Sequence, residues 1–173
     1  LVGPDGPTHH GVFDISMLNS LPNIVISAPK DGNELSNLIY TGILSGKAFA
    51  IRYPKGKCSF YNINNSQNYI EIGQWEKLEQ GSKVALLATG SMVESCIRIK
   101  DEVSRHIGID VTVVNSRFIK PLDKKMIDSL IEDHEYIFTF EEGSIIGGFG
   151  SSVLQYISKK NKPIKVFNKG IKD

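Results

Sequence analysis

The sequence predicts an α/β protein built as two open, mostly parallel sheets covered by helices. Three observations lead there. Short β-branched runs alternate with segments whose apolar residues recur at helical spacing. The order strand, helix, strand repeats, and such units place their strands parallel with a helix crossing over. A polar, asparagine-rich stretch with no periodicity separates two groups of these elements.

The first group opens with Phe13, Met17, Leu18 and Leu21 at helical spacing. Residues 24–27 are a β-branched run and a strand candidate, ended by Pro29. Asp31 offers an N-cap and Glu34 sits three residues later, as in a capping box. Leu35, Leu38, Ile39 and Ile43 follow on one face, and Gly46 closes the helix. Residues 48–53 read as the next strand, stopped by Pro54.

Between 58 and 80, Asn62, Asn64, Asn65, Ser66, Gln67 and Asn68 read as a solvated linker, with a short edge strand over 69–72. The second group begins at Gly81. Residues 84–88 are a buried-strand pattern. Ser91 and Glu94 form a second capping box, before a helix facing inward with Val93, Cys96, Ile97 and Val103. Strands are predicted over 109–114, 136–140 and 164–167. Asp123 caps a helix that turns in Met126, Ile127, Leu130 and Ile131. Gly147-Gly148-Phe149-Gly150 leads into a last helix carrying Val153, Leu154 and Ile157.

Composition narrows the function classes. The chain has 173 residues, 40% of them hydrophobic and 23% charged, in the range of a folded globular protein with a core of its own. A net charge of +1, with basic residues scattered among acids, gives no reason to expect nucleic acid or an anionic membrane as partner. No apolar run spans a bilayer. Leu1-Val2-Gly3-Pro4 has no signal-peptide pattern. Two cysteines, Cys58 and Cys96, make neither a disulfide framework nor a zinc set, which favours a reducing compartment.

The titratable chemistry concentrates in Asp5-Gly6-Pro7-Thr8-His9-His10-Gly11-Val12-Phe13-Asp14. Gly6 and Pro7 read as a turn, so the histidines fall in a loop feeding a helix N-terminus. A positive helix end disfavours charged imidazole, which keeps a histidine neutral and able to exchange protons. Two other readings stand beside this: polar surface, and a metal site of His9 and His10 with Asp5 or Asp14. Arg52 lies at the carboxyl end of a predicted strand, where α/β sheets collect ligands. Its planar fork suits a phosphate or carboxylate. A structural ion pair is the alternative. Lys55 and Lys57 in the following turn favour an anionic ligand.

The glycines at 147–150 admit a phosphate cradle or close packing of helix on sheet, and the spacing, with no P-loop lysine, favours packing. Glu141-Glu142 at a strand end suits ligand orientation or pairing with a neighbouring chain. His106 and His134 read as solvated.

Taken together these stretches resemble the thiamine-diphosphate enzymes of the transketolase superfamily. The resemblance rests on Asp5-Gly6-Pro7-Thr8-His9, Arg52-Tyr53-Pro54-Lys55-Gly56, Arg117-Phe118-Ile119-Lys120-Pro121-Leu122-Asp123, and Glu141-Glu142-Gly143 followed by Gly147-Gly148-Phe149-Gly150-Ser151, in the family's order. The continuation His10-Gly11-Val12-Phe13-Asp14 resembles the branch that makes 1-deoxy-D-xylulose 5-phosphate. Transketolase proper lacks that continuation. The beta subunits of 2-oxo acid dehydrogenases share mainly the layout of the second group.

The resemblance implies a partial pyrimidine-binding domain over 1–57, a linker over 58–80, and a transketolase C-terminal-like domain over 81–173, incomplete at its end. It implies condensation of pyruvate with D-glyceraldehyde 3-phosphate, releasing carbon dioxide, as the first step of non-mevalonate isoprenoid synthesis. The implied cofactors are thiamine diphosphate and Mg2+, held mainly by an amino-terminal domain with a Gly-Asp-Gly motif that this sequence does not contain. The cofactor-activating glutamate would precede Leu1. The chain is therefore expected to be a fragment, inactive alone.

By the same resemblance, His9 faces the reacting centre and binds substrate. Asp5 holds acceptor hydroxyls or positions His9, and Arg52 binds the acceptor's phosphate. His10 supports them. No cofactor or metal ligand is assigned on this chain. The implied partners are the rest of the enzyme chain and a second copy in a homodimer, with no nucleic acid or membrane. The implied compartment is a bacterial cytoplasm or a plastid, an apicoplast included. Transketolase activity is the alternative within the class. Outside it stands a non-catalytic α/β assembly module.

Overall fold

A computed structural model describes residues 5–172, except 59, 63 and 65. A 3-10 turn over Pro7–His9 precedes α1 (Asp14–Asn19), β1 (Ile24–Ser27), α2 (Gly32–Ser45) and β2 (Ala48–Ile51). Then come β3 (Glu76–Glu79), β4 (Lys83–Ala88), α3 (Met92–Ile107), β5 (Thr112–Asn115) and β6 (Phe118–Lys120). The chain ends through α4 (Lys124–Asp133), β7 (His134–Ser144), α5 (Phe149–Ile157) and β8 (Lys165–Ile171).

Two sheets form, in the orders β2-β1-β6 and β3-β5-β4-β7-β8. The βαβ unit predicted at the start is present: β1 and β2 run parallel, with Val25 opposite Phe49. Asp31 caps α2 by accepting from the Glu34 N–H at 2.8 Å, and Gly46 ends it in the left-handed region at φ 62°. The Glu34 carboxylate reaches one residue beyond the N-cap, to the Lys30 N–H at 2.7 Å. In the second sheet β4, β5, β7 and β8 are parallel neighbours, as their alternation with helices requires.

Each sheet also carries one antiparallel strand that the periodicity did not reveal. β6 lies in the second half of the sequence but pairs antiparallel with β1, closing the first sheet. A three-residue strand has no periodicity of its own, and its partner is far away in sequence. β3 pairs antiparallel with β5 at the edge of the second sheet. Over 58–80 the described residues up to Tyr69 are exposed, as a solvated stretch would be, but the edge strand expected over 69–72 needs correcting. The strand is at Glu76–Glu79 instead, and Ile70 and Trp75 are buried. The backbone N–H groups of Asn62, Asn68 and Ile70 donate to Asn33, Asn37 and Thr41 on α2. Three side chains of α2 thus hold this stretch along the helix.

Trp75 then joins the two sheets. Its Nε1–H donates to the Phe118 carbonyl at 2.7 Å, and its ring meets Phe149 edge-on at 5.7 Å. Ile26, Leu38, Phe118, Ile137 and Phe149 belong to this shared core. Leu86, Val93, Cys96, Val111 and Val113 fill a second one beneath α3.

Four local expectations are corrected. Of the apolar residues expected to line α1, Phe13 (60%), Met17 (69%) and Leu21 (47%) are exposed and Leu18 packs partly buried against the core, while Ile15 is the fully buried one. Ser91 makes no side-chain cap, and Glu94 instead pairs with Arg98 one turn on. Ile97, expected to face inward on α3, is exposed. His134 is buried rather than solvated, bonded to Thr112 Oγ1 at 2.7 Å and to the Leu130 carbonyl oxygen at 3.1 Å. His106 is exposed beside Glu102. Cys96 is fully buried and its thiol is pushed up to about 12 by burial, which makes it inert; Cys58 is exposed. Among the described residues no helix is long and apolar enough to cross a membrane.

Candidate functional site

The first sheet ends at a rim where β2 gives way to Arg52. The Arg52 N–H donates to the Ser27 carbonyl at 2.8 Å, so the backbone there is still held to β1. Its side chain then points toward the loop of residues 5–14. Arg52 Nε donates to Asp14 Oδ2 at 2.8 Å, and Nη2 donates to the Glu142 carbonyl at 3.3 Å. Three residues on, the Lys55 ammonium pairs with Asp5. The histidine loop is therefore stapled near both its ends to the segment leaving β2.

β7 reaches the same place from the second sheet. The Ser144 N–H donates to the Val12 carbonyl at 2.7 Å, and Glu142 Oε2 lies 3.9 Å from Arg52 Nη1. Loop, β2 and the far end of β7 meet around one guanidinium. Asp14 also starts α1, with Oδ1 accepting from the Ile15 N–H at 2.7 Å.

His9 closes the 3-10 turn, exposed, with its N–H on the Gly6 carbonyl at 3.2 Å and Nδ1 at 3.1 Å from Thr8 Oγ1. It makes no hydrogen bond to Arg52. The loop that carries His9 is anchored to the segment after β2 through Asp5 and Asp14. His10 is half-buried in the same loop. A neighbouring cleft at the start of α2 is lined by Lys30, Gly32, Tyr53, Lys55 and Lys57, and includes neither His9 nor Arg52. The lysines of the 53–57 turn thus serve a different opening from the arginine.

The metal reading of the loop loses its carboxylates, because Asp5 and Asp14 are each paired with a cation. The glycine run resolves toward packing. Glu141 is buried, and its carboxylate accepts from the N–H groups of Phe149 and Gly150, both at 2.9 Å, at the start of α5. That helix end is occupied from within, where a phosphate would have sat. A side chain on Gly148 would run into the Ser144 carbonyl and the Glu141 carboxylate, and one on Gly150 into Thr139 and Asn168. Burial pushes the Glu141 carboxyl above its ordinary value, against the two amides and Arg52, which pull it down.

Among the described residues no three His, Cys, Asp or Glu side chains gather to hold a metal ion. With the α5 terminus filled by a carboxylate as well, neither the histidine loop nor the start of α5 fits the diphosphate end of a cofactor and its metal among the described residues. Pattern reading weighed Asp14 as a metal ligand and Glu142 for orienting a ligand or pairing with another chain, and missed that both partner Arg52. Asp14 was visible as the end of the loop motif and Glu142 as half of an acidic pair, but only the fold shows that both address Arg52.

Two α/β units joined through β6 and Trp75, with a histidine loop stapled across the rim, define a transketolase-type pair of domains. A family model described as the transketolase C-terminal domain matches residues 73–173, and one described as the transketolase pyrimidine binding domain matches 1–59. The chain belongs to the transketolase family. It is 45% identical over 174 residues to the 1-deoxy-D-xylulose-5-phosphate synthase of Aquifex aeolicus, covering 100% of this chain and 27% of that protein. It is 43% identical over 173 residues to the same-named protein of Clostridium tetani, covering 100% and 28%. The chain thus spans just over a quarter of the length of the curated relatives it matches. Its fold is that of a solved structure described as a split gene transketolase, inactive beta4 tetramer, with a TM-score of 0.86 at 24% identity over 96% of this chain and 54% of that one.

Proposed function

We propose that the chain is the acceptor-binding part of a thiamine-diphosphate-dependent transferase that condenses pyruvate with D-glyceraldehyde 3-phosphate, giving 1-deoxy-D-xylulose 5-phosphate and carbon dioxide. The reading is carried by the stapled loop, with Arg52 at its centre, in a chain 45% identical along its full length to a synthase of that name. On this reading the cofactor and Mg2+ belong to the portion of such a protein that this chain does not match; bound there, the cofactor would supply a carbanion equivalent and the cation would hold its diphosphate.

On this reading, Arg52 binds the acceptor's phosphate as a charged, hydrogen-bonding fork. His9, whose Nε2 has no hydrogen-bond partner among the described residues, meets the acceptor's oxygen and holds or passes its proton. Asp5 holds acceptor hydroxyls or positions His9. A homodimer, and a bacterial cytoplasm or plastid as the compartment, belong to the same reading.

The test is donor choice by the full-length protein carrying this chain, supplied with cofactor and Mg2+. Pyruvate with D-glyceraldehyde 3-phosphate should yield the deoxyketose phosphate, and a ketose phosphate donor should yield none. Turnover from the ketose phosphate alone would make it a transketolase. Turnover from neither would leave the assembly module.

A further inference from the structure

Arg52 is surrounded by more negative charge than it needs. Its side chain is 15% exposed. Asp14 takes Nε at 2.8 Å and the Glu142 carbonyl takes Nη2 at 3.3 Å. Glu142 Oε2 stops 3.9 Å from Nη1, beyond hydrogen-bond reach. That carboxylate oxygen is buried and has no hydrogen-bond partner among the described residues. A buried acceptor left without a donor is costly, and native proteins keep few of them. Here it sits beside a guanidinium edge whose Nη1–H groups make no hydrogen bond among the described residues.

The two contacts differ in kind. Asp14 is on the same loop as His9 and makes a short, direct bond that sets where the guanidinium lies. Glu142 comes from β7, in the second sheet, and its carboxylate lies near the guanidinium without bonding to it. A phosphate approaching Nη1 meets this carboxylate as a rival anion. A small withdrawal of Glu142 would free the edge.

We propose that Asp14 and Glu142 are the positioning residues of Arg52. Asp14 fixes the guanidinium through Nε. Glu142 faces Nη1 while the site is empty and yields that edge to the phosphate of the acceptor. Through Glu142 the C-terminal unit tunes selection of a phosphorylated acceptor. This rests on the reading that Arg52 binds the acceptor's phosphate.

The experiment compares KM for D-glyceraldehyde 3-phosphate and for unphosphorylated D-glyceraldehyde in the full-length protein. Glu142→Gln keeps the shape and removes the rival charge, so KM for the phosphorylated acceptor should fall about threefold relative to the other. Asp14→Asn weakens the Nε anchor and should raise that ratio about tenfold. Glu142→Asp, which draws the charge back by one methylene, should follow Glu142→Gln and serves if the glutamine variant fails to fold. Equal shifts for both acceptors, no shift, or a selective rise in Glu142→Gln would overturn the proposal. Arg52→Ala is the control. If it changes the ratio while the other variants do not, positioning by Asp14 and Glu142 is wrong. If it does not change the ratio, the phosphate reading of Arg52 is wrong as well.

Discussion

Arg52 Nε donates to Asp14 Oδ2 across 2.8 Å, joining the end of the first βαβ unit to the last residue of the histidine loop. This staple is partly buried, with side-chain exposures of 15% and 32%, whereas the Lys55–Asp5 pair is open to solvent. Removing one member of a buried pair strands its partner, but a surface pair contributes little. Asp14→Ala should therefore cost about 1–3 kcal/mol, and Lys55→Ala less than about 1 kcal/mol. Urea denaturation followed by the fluorescence of Trp75, the chain's one tryptophan, measures both.

His134 gives the fold an acid sensitivity. Burial pushes its imidazole below the ordinary value of 6.5, against the Leu130 carbonyl and Asp133, which pull it up. A base whose folded pKa is depressed stays neutral in the native state while the unfolded chain takes up a proton. Stability is then full above pH 6.5 and is lost as pH falls toward the folded value. Urea midpoints should drop between pH 7 and pH 5, and His134→Gln should flatten that part of the profile. An unchanged slope would show that other groups cause it.

Much of this was legible in the chain. Asp31 and Gly46 bracket α2 as their residue types demand, and Asp123 caps α4 by accepting from the Met126 N–H at 2.9 Å. Such signals are local, so one sequence suffices to read them. The misses were non-local. β6 and β3 are strands only because of distant partners. His134 looks like any helix-end histidine until β7 carries it into the core. In the site, the loop and Arg52 stood out separately. Their joining through Asp14, and the arrival of Glu142 from the second sheet, are tertiary facts that no spacing contains.

Close packing at the start of α5 leaves no room for a side chain at Gly148, whose added Cβ would meet the Ser144 carbonyl and the Glu141 carboxylate. Gly148→Ala should cost about 3 kcal/mol through overpacking against groups that cannot give way. Gly56→Ala, where an added Cβ meets nothing, is the matched control and should change little. Comparable urea midpoints for the two variants would refute the packing account.

The purified 173-residue chain should form no 1-deoxy-D-xylulose 5-phosphate from pyruvate and D-glyceraldehyde 3-phosphate, because no three metal-ligating side chains gather among its described residues and the start of α5 is filled by Glu141. Chromatographic assay for the product in the presence of thiamine diphosphate and Mg2+ decides it. Any turnover would mean that the cofactor binds to this part after all.

The central claim is that Arg52 grips the phosphate of the acceptor. It is tested most directly in the full-length protein by measuring, for Arg52→Ala, the KM for D-glyceraldehyde 3-phosphate beside acceptor-independent release of carbon dioxide from pyruvate. KM should rise about tenfold or more while carbon dioxide release falls far less, since the lost hydrogen bonds and charge meet only the acceptor. Equal losses in both measurements would contradict the claim and leave Arg52 a structural ion pair with Asp14.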